Sequence, residues 1–580
     1  MQNQKKPRGS IAESVTRLIA ATLGIFFAVS PLSSGAATVE EWRSDLDAIV
    51  VDVRAIHPDP FARVGKLEFM RQAEALKSDL PRLTEEQRVV RAMRLIALIG
   101  DTHTQLEPSR PDFALWYPVR IYEFSDGYFV TAAHRSVAEL AGAQVLEAAG
   151  QPIDRVANDA RSLMGADNAF ASKEYVFAFS NAALMKGLGY ASADGSLKIK
   201  CKLADGRIVE RTLSPHRSDD ARYDKDDSTF EWHFQPEMGG PPFGGVDAWI
   251  SAYKGLPYAA FRTTDVSRPP RLMNRRGFSS RYLPEQDAFY LQSNFVGQNL
   301  EQEFREALQQ VDKLRPRRLI LDFRYNFGGD GSHVPAMLRE FIKRGDAPPW
   351  KELYILTGRR TLSAGIMAVV ALLENTDHTA IGEPMSAPIN SYGDPRSIPF
   401  AKTGLRMNLS TVSHQLGDPE DIRPFAPVDV PAPFSFADYA VGRDPAVDPI
   451  LRGEEMRSLQ VIALADGGAA ARRVWEQRKL AYSKYDGWSP PTEIVLRRAA
   501  QTLLEQKRVG DAVETAGLNA DIHPEEWRVW YNLAKAQAAA GQKTESLASY
   551  RRVLEIDPNN FNLHEIRKLF EDAGVPLNLQ

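Results

Sequence analysis

The most regular pattern in the chain lies between residues 287 and 453. There, short apolar runs alternate with amphipathic ones. "AFYLQSNF" reads as a buried strand. "NLEQEFREALQQVDKL" then sets Leu300, Phe304, Ala307, Leu308 and Val311 at helical spacing. "RRLILDFR" and "LYILT" repeat the strand pattern, and "HVPAMLREFIKR" and "AGIMAVVALLEN" repeat the helical one. Strand–helix alternation predicts a mostly parallel sheet with helical crossovers. Upstream, "TEEQRVVRAMRLIALIGD" opens with Thr84 and Gln87 at capping-box spacing. It places Val89, Met93, Ile96 and Ile99 on one helical face and stops at Gly100. From about 117 to 213 the period is two. In "LKIKCKL" the residues Leu197, Ile199, Cys201 and Leu203 alternate with lysines, and "ADGR" predicts a hairpin turn at Asp205-Gly206. Cys201 is therefore expected to be a half-buried strand residue. A helical insertion is expected at roughly 169–187, and the polar stretch "HRSDDARYDKDDSTFEW" reads as a loop or linker.

The C-terminal part repeats. Trp530, Leu533, Gly541, Tyr550 and Pro558 fall at tetratricopeptide positions. Ala512 and Pro524 precede Ser546 and Pro558 by the period of that repeat, so about two repeats are expected, the first degenerate. At the other end, Lys5, Lys6, Arg8 and Arg17 precede "LIAATLGIFFAVS" and a small-residue segment. That order predicts a secretory signal peptide cut near Ala36 or Ala37, with a periplasmic or secreted mature chain. The alternative is an uncleaved anchor, for which the run is short against a span of about 20 residues.

A chain of 580 residues exceeds one core. Lys+Arg 71 against Asp+Glu 75 leaves a net charge of −4 with no long basic block, so nucleic-acid binding has no electrostatic support. The lone cysteine excludes an internal disulfide. There is no H-E-x-x-H, C-x-x-C pair or Walker A loop, so neither a metal nor a nucleotide cofactor is expected.

The candidate chemistry centres on "RTLSAGIMAVV". Ser363 stands between a strand-like and a helix-like run, where a nucleophile would sit at a helix N-terminus. The Ala364 N–H would then be a natural oxyanion donor. Ser363 could equally be a plain N-cap, the commoner role for serine at that place. G-x-S-x-G is absent. "LILDFRYNFGGD" ends a strand in Asn326, Gly328 and Gly329, whose backbone N–H groups could hold an anion or simply form a turn. "GDTHT" places His103 in a polar turn.

Taken in order, "ALIGDTHTQLEP", "LILDFRYNFGGDGS", "YILTGRRTLSAGIMAV" and "IGEPMSAPINSYGD" resemble the successive motifs of the tail-specific (C-terminal-processing) serine peptidases, over about residues 40–453. "HPDPF" resembles the helical N-terminal part of that family. The resemblance implies a multidomain α/β protein. Its expected parts are a signal peptide (1–37), a helical N-terminal domain (38–110), a PDZ-like β-rich domain (111–215), a linker or insertion (216–286), a crotonase-like protease core (287–460) and tetratricopeptide helices (488–580). One branch of the family uses a serine–lysine dyad, but Pro388 stands where the lysine would be, and Lys402 lies well past that loop. The other branch, similar to the tricorn core, uses a histidine from the N-terminal part. By that resemblance His103 is the base, and Asp421 or the adjacent Glu420 is the acid. Gly328 and Ala364, with Gly329 beside them, form the oxyanion hole. His333 and His414 are rival bases without a motif match. The expected activity is peptide-bond hydrolysis in peptides or unfolded protein ends, with a possible protein partner on the tetratricopeptide helices. A catalytically silent peptide-binding scaffold and a non-peptidase acyl hydrolase fit the same motifs.

Overall fold

The computed structural model describes residues 37–217, 249–252, 277–345 and 347–577. The basic and apolar leader and nearly all of the polar linker lie outside these residues. Among the described residues, no helix is long and apolar enough to cross a membrane.

The alternating region forms a six-stranded sheet in the order 278–283, 288–293, 318–322, 352–357, 379–382, 430–431. The first pair is antiparallel and every other pair is parallel. Successive side chains point to opposite faces, so the sheet carries two cores. Phe289, Leu291, Leu319, Leu321, Leu353 and Ile355 meet the crossover helices Leu300–Leu314, Val334–Ile342 and Ala364–Asn375. Tyr290, Ile320, Tyr354 and Leu356 meet Ala446, Val447, Ile450 and Met456. Coverage on both faces explains why all six residues of Ala288–Ser293 are buried. The five apolar positions expected on the first crossover helix are its five buried residues. The loops that follow 318–322, 352–357 and 379–382 all leave the sheet at its carboxyl edge, where open α/β sheets bind their ligands.

Arg324, at that edge, is buried between two carboxylates. Its guanidinium donates to Asp322 at 3.0 and 2.7 Å and to Asp444 at 2.9 and 2.8 Å. Tyr290 Oη also donates to Asp322 Oδ2 at 2.5 Å.

The N-terminal helices Val39–Ile56, Lys66–Asp79 and Glu85–Ala97 do not form a separate core. Thr38 and Thr84 each close a capping box, as Thr84 and Gln87 predict. Their buried faces share one cluster with the strand-rich segment and with Phe400, Leu405, Met407 and Leu409. Strand Gln105–Pro108 pairs antiparallel with Leu405–Leu409, which pairs with Arg396–Phe400. A hairpin from the later part of the chain thus completes a sheet with the N-terminal part.

In the strand-rich segment the strands run 249–251, 127–134, 144–148, 197–202, 208–213, with 119–124 paired to 127–134. Leu197–Lys202 alternates buried and exposed, and Cys201 is fully buried rather than half-buried. Residues 169–187 form the expected helical insertion. Tyr117 N–H donates to Ser180 O, and Ser180 Oγ to Val119 O, which ties the insertion to the strand 119–124.

At the C-terminus, helices starting at 493 and 527, and at 509 and 543, are offset by the 34-residue tetratricopeptide period. They rest on helices Leu459–Asp466 and Gly468–Tyr482: Leu459, Ile462, Ala471 and Trp475 pack with Leu496, Ala499 and Leu518. Ser458 fixes that unit to the sheet by donating its N–H to Thr379 Oγ1 and its hydroxyl to His378 O.

Removing Arg324 would leave Asp322 and Asp444 buried and uncompensated. Arg324→Ala is expected to lower unfolding stability by about 3–5 kcal/mol, measured by denaturant titration.

Candidate active site

Ser363 precedes helix Ala364–Asn375 with φ 55° and ψ −131°. An ordinary N-cap has extended backbone and a side chain that accepts a helix N–H. Ser363 has neither, and its hydroxyl caps nothing. A non-glycine residue at such a φ is strained and persists only where its surroundings enforce it. Those surroundings are visible. Leu362 N–H donates to Asn326 O at 2.9 Å, and Gly365 N–H to Leu362 O. Thr361 donates its hydroxyl to Phe323 O at 2.9 Å, and its carbonyl accepts both the N–H (3.1 Å) and the hydroxyl (2.8 Å) of Ser386. The side chain of Ser363 is thereby presented at a sharp strand-to-helix turn, partly exposed.

The glycine loop lies directly against it. A Cβ on Gly328 would sit 2.6 Å from Ser363 Cβ and 3.0 Å from Ala364 N, so only glycine lets the loop come this close. Gly328's own N–H is engaged by Asn326 Oδ1 at 3.0 Å. This revises the expectation that Gly328 supplies an oxyanion donor: what it contributes is space. Val296 bridges the loop by donating to Gly328 O (2.7 Å) and accepting from Asp330 N–H (2.8 Å). In that parallel bridge the Gly329 N–H points away from Val296, and no described residue accepts it. Ala364 N–H, at the first turn of the helix, has no intrahelical acceptor. The Ala364 N–H is therefore open beside Ser363, and the Gly329 N–H, next in the chain to the glycine that touches Ser363, is open as well.

His103 arrives from the N-terminal part. Thr102 Oγ1 donates to Ser386 O at 3.4 Å, and Ser386 is bonded to Thr361. Two hydrogen-bonded steps thus join the histidine turn to the serine loop. The His103 side chain is 9% exposed, and neither ring nitrogen has a hydrogen-bond partner among the described residues. Burial lowers its pKa below the ordinary histidine value. Asp101 opposes that shift, His414 adds to it, and Asp394 and the Tyr392 backbone oppose it more weakly. Burial therefore favours the uncharged ring.

Among the described residues, neither Asp421 nor Glu420 makes a hydrogen bond or ion pair with His103. Asp421 accepts from Arg423 Nε at 2.8 Å and Nη2 at 2.5 Å, and that ion pair lowers its pKa. Glu420 is exposed. His333 sits beside Asp330 at 3.6 Å, at the start of helix Val334–Ile342. His414 lies near His103 but pairs with the exposed Asp394 at 3.5 Å. Lys402 donates to Ser44 Oγ at 2.6 Å, on the first helix. The residue that pattern reading passed over is Asp101, which stands within the quoted "GDTHT". Among the described residues, no group of three or more His, Cys, Asp or Glu is placed to hold a metal ion.

Residues 527–560 match the tetratricopeptide repeat family model. No curated protein sequence matches the chain. Among solved structures, mature CPAF complexed with lactacystin is 11% identical, with a TM-score of 0.48 over 72% of this chain and 99% of that one. The photosystem II D1 C-terminal processing protease is 14% identical, with a TM-score of 0.32 over 72% and 98%. The tricorn protease is 13% identical, with a TM-score of 0.31 over 72% of this chain and 36% of that one.

Glycine at position 363 relieves the backbone strain, because it adopts positive φ freely. Ser363→Gly is expected to stabilise the fold by about 1 kcal/mol, while Ser363→Ala should not. Thermal unfolding of the three proteins measures the difference.

Proposed function

We propose that the chain is a serine-type peptidase acting through an acyl-enzyme, with Ser363 as nucleophile and His103 as general base. The observation that carries this reading is the strained, uncapped Ser363 with open N–H groups at Ala364 and Gly329. In the mechanism, His103 takes the hydroxyl proton as Ser363 Oγ attacks the substrate carbonyl. The tetrahedral oxyanion is held by the Ala364 and Gly329 N–H groups, and His103 then returns the proton to the leaving amine. A water repeats the sequence to release the acid. The succession of motifs favours peptides and unfolded protein ends as substrates over small esters. The tetratricopeptide helices, remote in sequence from every group named, are assigned to protein interaction. The leader assigns the mature chain to the periplasm or the exterior, and a mature N-terminus near residue 37 by mass spectrometry is the corresponding result.

Kinetics on a fluorogenic peptide test the pair. Ser363→Ala and His103→Ala are each expected to lower kcat by at least about 1,000-fold, and the double variant should be little worse than either. Normal turnover in folded His103→Ala would exclude the base. A preference for simple esters over peptides would favour a non-peptidase acyl hydrolase.

The pH dependence follows from burial. His103 must be neutral to accept the proton, and its pKa is lowered. The acid limb of kcat/KM should therefore have its midpoint below about 6.5, the ordinary histidine value, with activity lost as pH falls through it.

A further inference from the structure

A base that accepts a proton while buried needs a carboxylate to steady the imidazolium, and the surroundings of His103 offer few. Asp421 is held by Arg423. Asp394 is 65% exposed and faces His414. Asp101 is buried, with 2% of its side chain exposed, and its Oδ1 lies 4.0 Å from His103 Nδ1.

The hydrogen bonds around Asp101 decide which of its lone pairs is available. Oδ2 accepts from Thr104 Oγ1 at 2.5 Å and from Ser410 Oγ at 2.5 Å, and it lies 3.3 Å from His57 Nε2. The His57 tautomer is fixed by its other nitrogen. Nδ1 accepts the Asp59 N–H at 3.1 Å, so the proton is on Nε2 and is donated to Asp101. Oδ2 is thus saturated by three donors drawn from three separate parts of the chain. Oδ1 takes only the backbone N–H of His103, at 2.9 Å. That bond closes a turn which fixes where the histidine stands, and it leaves an acceptor site on the oxygen facing His103 Nδ1. Burial on its own would raise the Asp101 carboxyl; the His57 hydrogen bond, with the Ser410 and Thr104 hydroxyls, opposes this, and the carboxyl stays below the ordinary aspartate range.

We propose that Asp101 is the positioning carboxylate of the site: it fixes the turn that carries His103 and, through Oδ1, accepts the Nδ1 proton of the imidazolium formed when Nε2 takes the proton of Ser363. The separation of 4.0 Å closes to a hydrogen bond when the ring becomes charged, as catalytic contacts commonly tighten only on reaction. The assignment rests on the Ser363–His103 reading and adds the third member from residues that reading does not use. His57, Thr104 and Ser410 serve by holding Asp101 ionised and immobile.

The test compares Asp101→Asn with Asp421→Asn in the full-length protein. Asparagine can keep the turn at residue 101 but carries no charge. Asp101→Asn should lower kcat by about 100-fold or more, with KM changed little. It should also move the acid limb of kcat/KM to lower pH, because the negative charge that raises the His103 pKa is gone. The groups that still face the ring would be His414, Asp394 and the Tyr392 backbone, with Asp167 and His57 behind residue 101. Loss of activity in Asp421→Asn without loss in Asp101→Asn overturns the proposal.

Should Asp101→Asn fail to fold, the unaltered protein gives the answer. After fluorophosphonate modification of Ser363, a 15N-histidine spectrum should show a strongly downfield proton on His103 Nδ1, unchanged in Asp421→Asn. Its absence, or its loss in Asp421→Asn, overturns the assignment. A wild-type chain that neither cleaves peptide nor takes the label fails at Ser363–His103 itself, and the proposal falls with it. An active wild type with an indifferent Asp101→Asn fails at Asp101 alone.

Discussion

The backbone of Ser363 is the constraint around which the site is organised. A serine held at φ 55° needs something to keep it there. That support comes from the carbonyl of Asn326, the hydroxyl of Thr361 and the absence of a side chain on Gly328. Each sits in a loop leaving the carboxyl edge of the parallel sheet, so the register of strands 318–322 and 352–357 sets the geometry of the turn. The serine hydroxyl caps no helix N–H, and the Ala364 N–H, at the first helical position, is open beside it.

The second dependency is between distant parts of the chain. The histidine turn belongs to the N-terminal core, and the serine belongs to the sheet. Ser386 links them, bonded on one side to Thr361 and on the other to Thr102. The hairpin 396–409 reinforces this by completing a sheet with strand 105–108 and by delivering Ser410 to Asp101. Asn168, on the insertion, donates to Met385 O and Pro424 O and clamps the same loop from a third direction. The site is therefore assembled only when the N-terminal core, the insertion and the sheet are docked.

Much of this was legible as pattern. The buried face of helix Leu300–Leu314, the capping box at Thr84 and the alternation of Leu197–Lys202 follow from local periodicity, because burial on one face is a local property. The position of Ser363 between strand and helix was equally plain. Its choice between cap and nucleophile was not, since the positive φ depends on Asn326 and Gly328, more than thirty residues earlier. Asp101 was hidden for a similar reason. One acid in a turn looks ordinary until His57, Thr104 and Ser410 are seen to converge on it. Asp421 attracted attention by its place after the serine, yet Arg423, two residues on, takes its carboxylate. The shared core of the N-terminal helices and strands, with a hairpin from beyond residue 396, has no signature in composition or period.

Everything proposed for the site requires that Ser363 be a reactive nucleophile and not a helix cap. Reaction of the full-length chain with a fluorophosphonate, followed by peptide mapping, tests it directly. One label per chain is expected, on Ser363, formed far more slowly in His103→Ala. A chain that stays unlabelled, or carries the label on another residue, would contradict it.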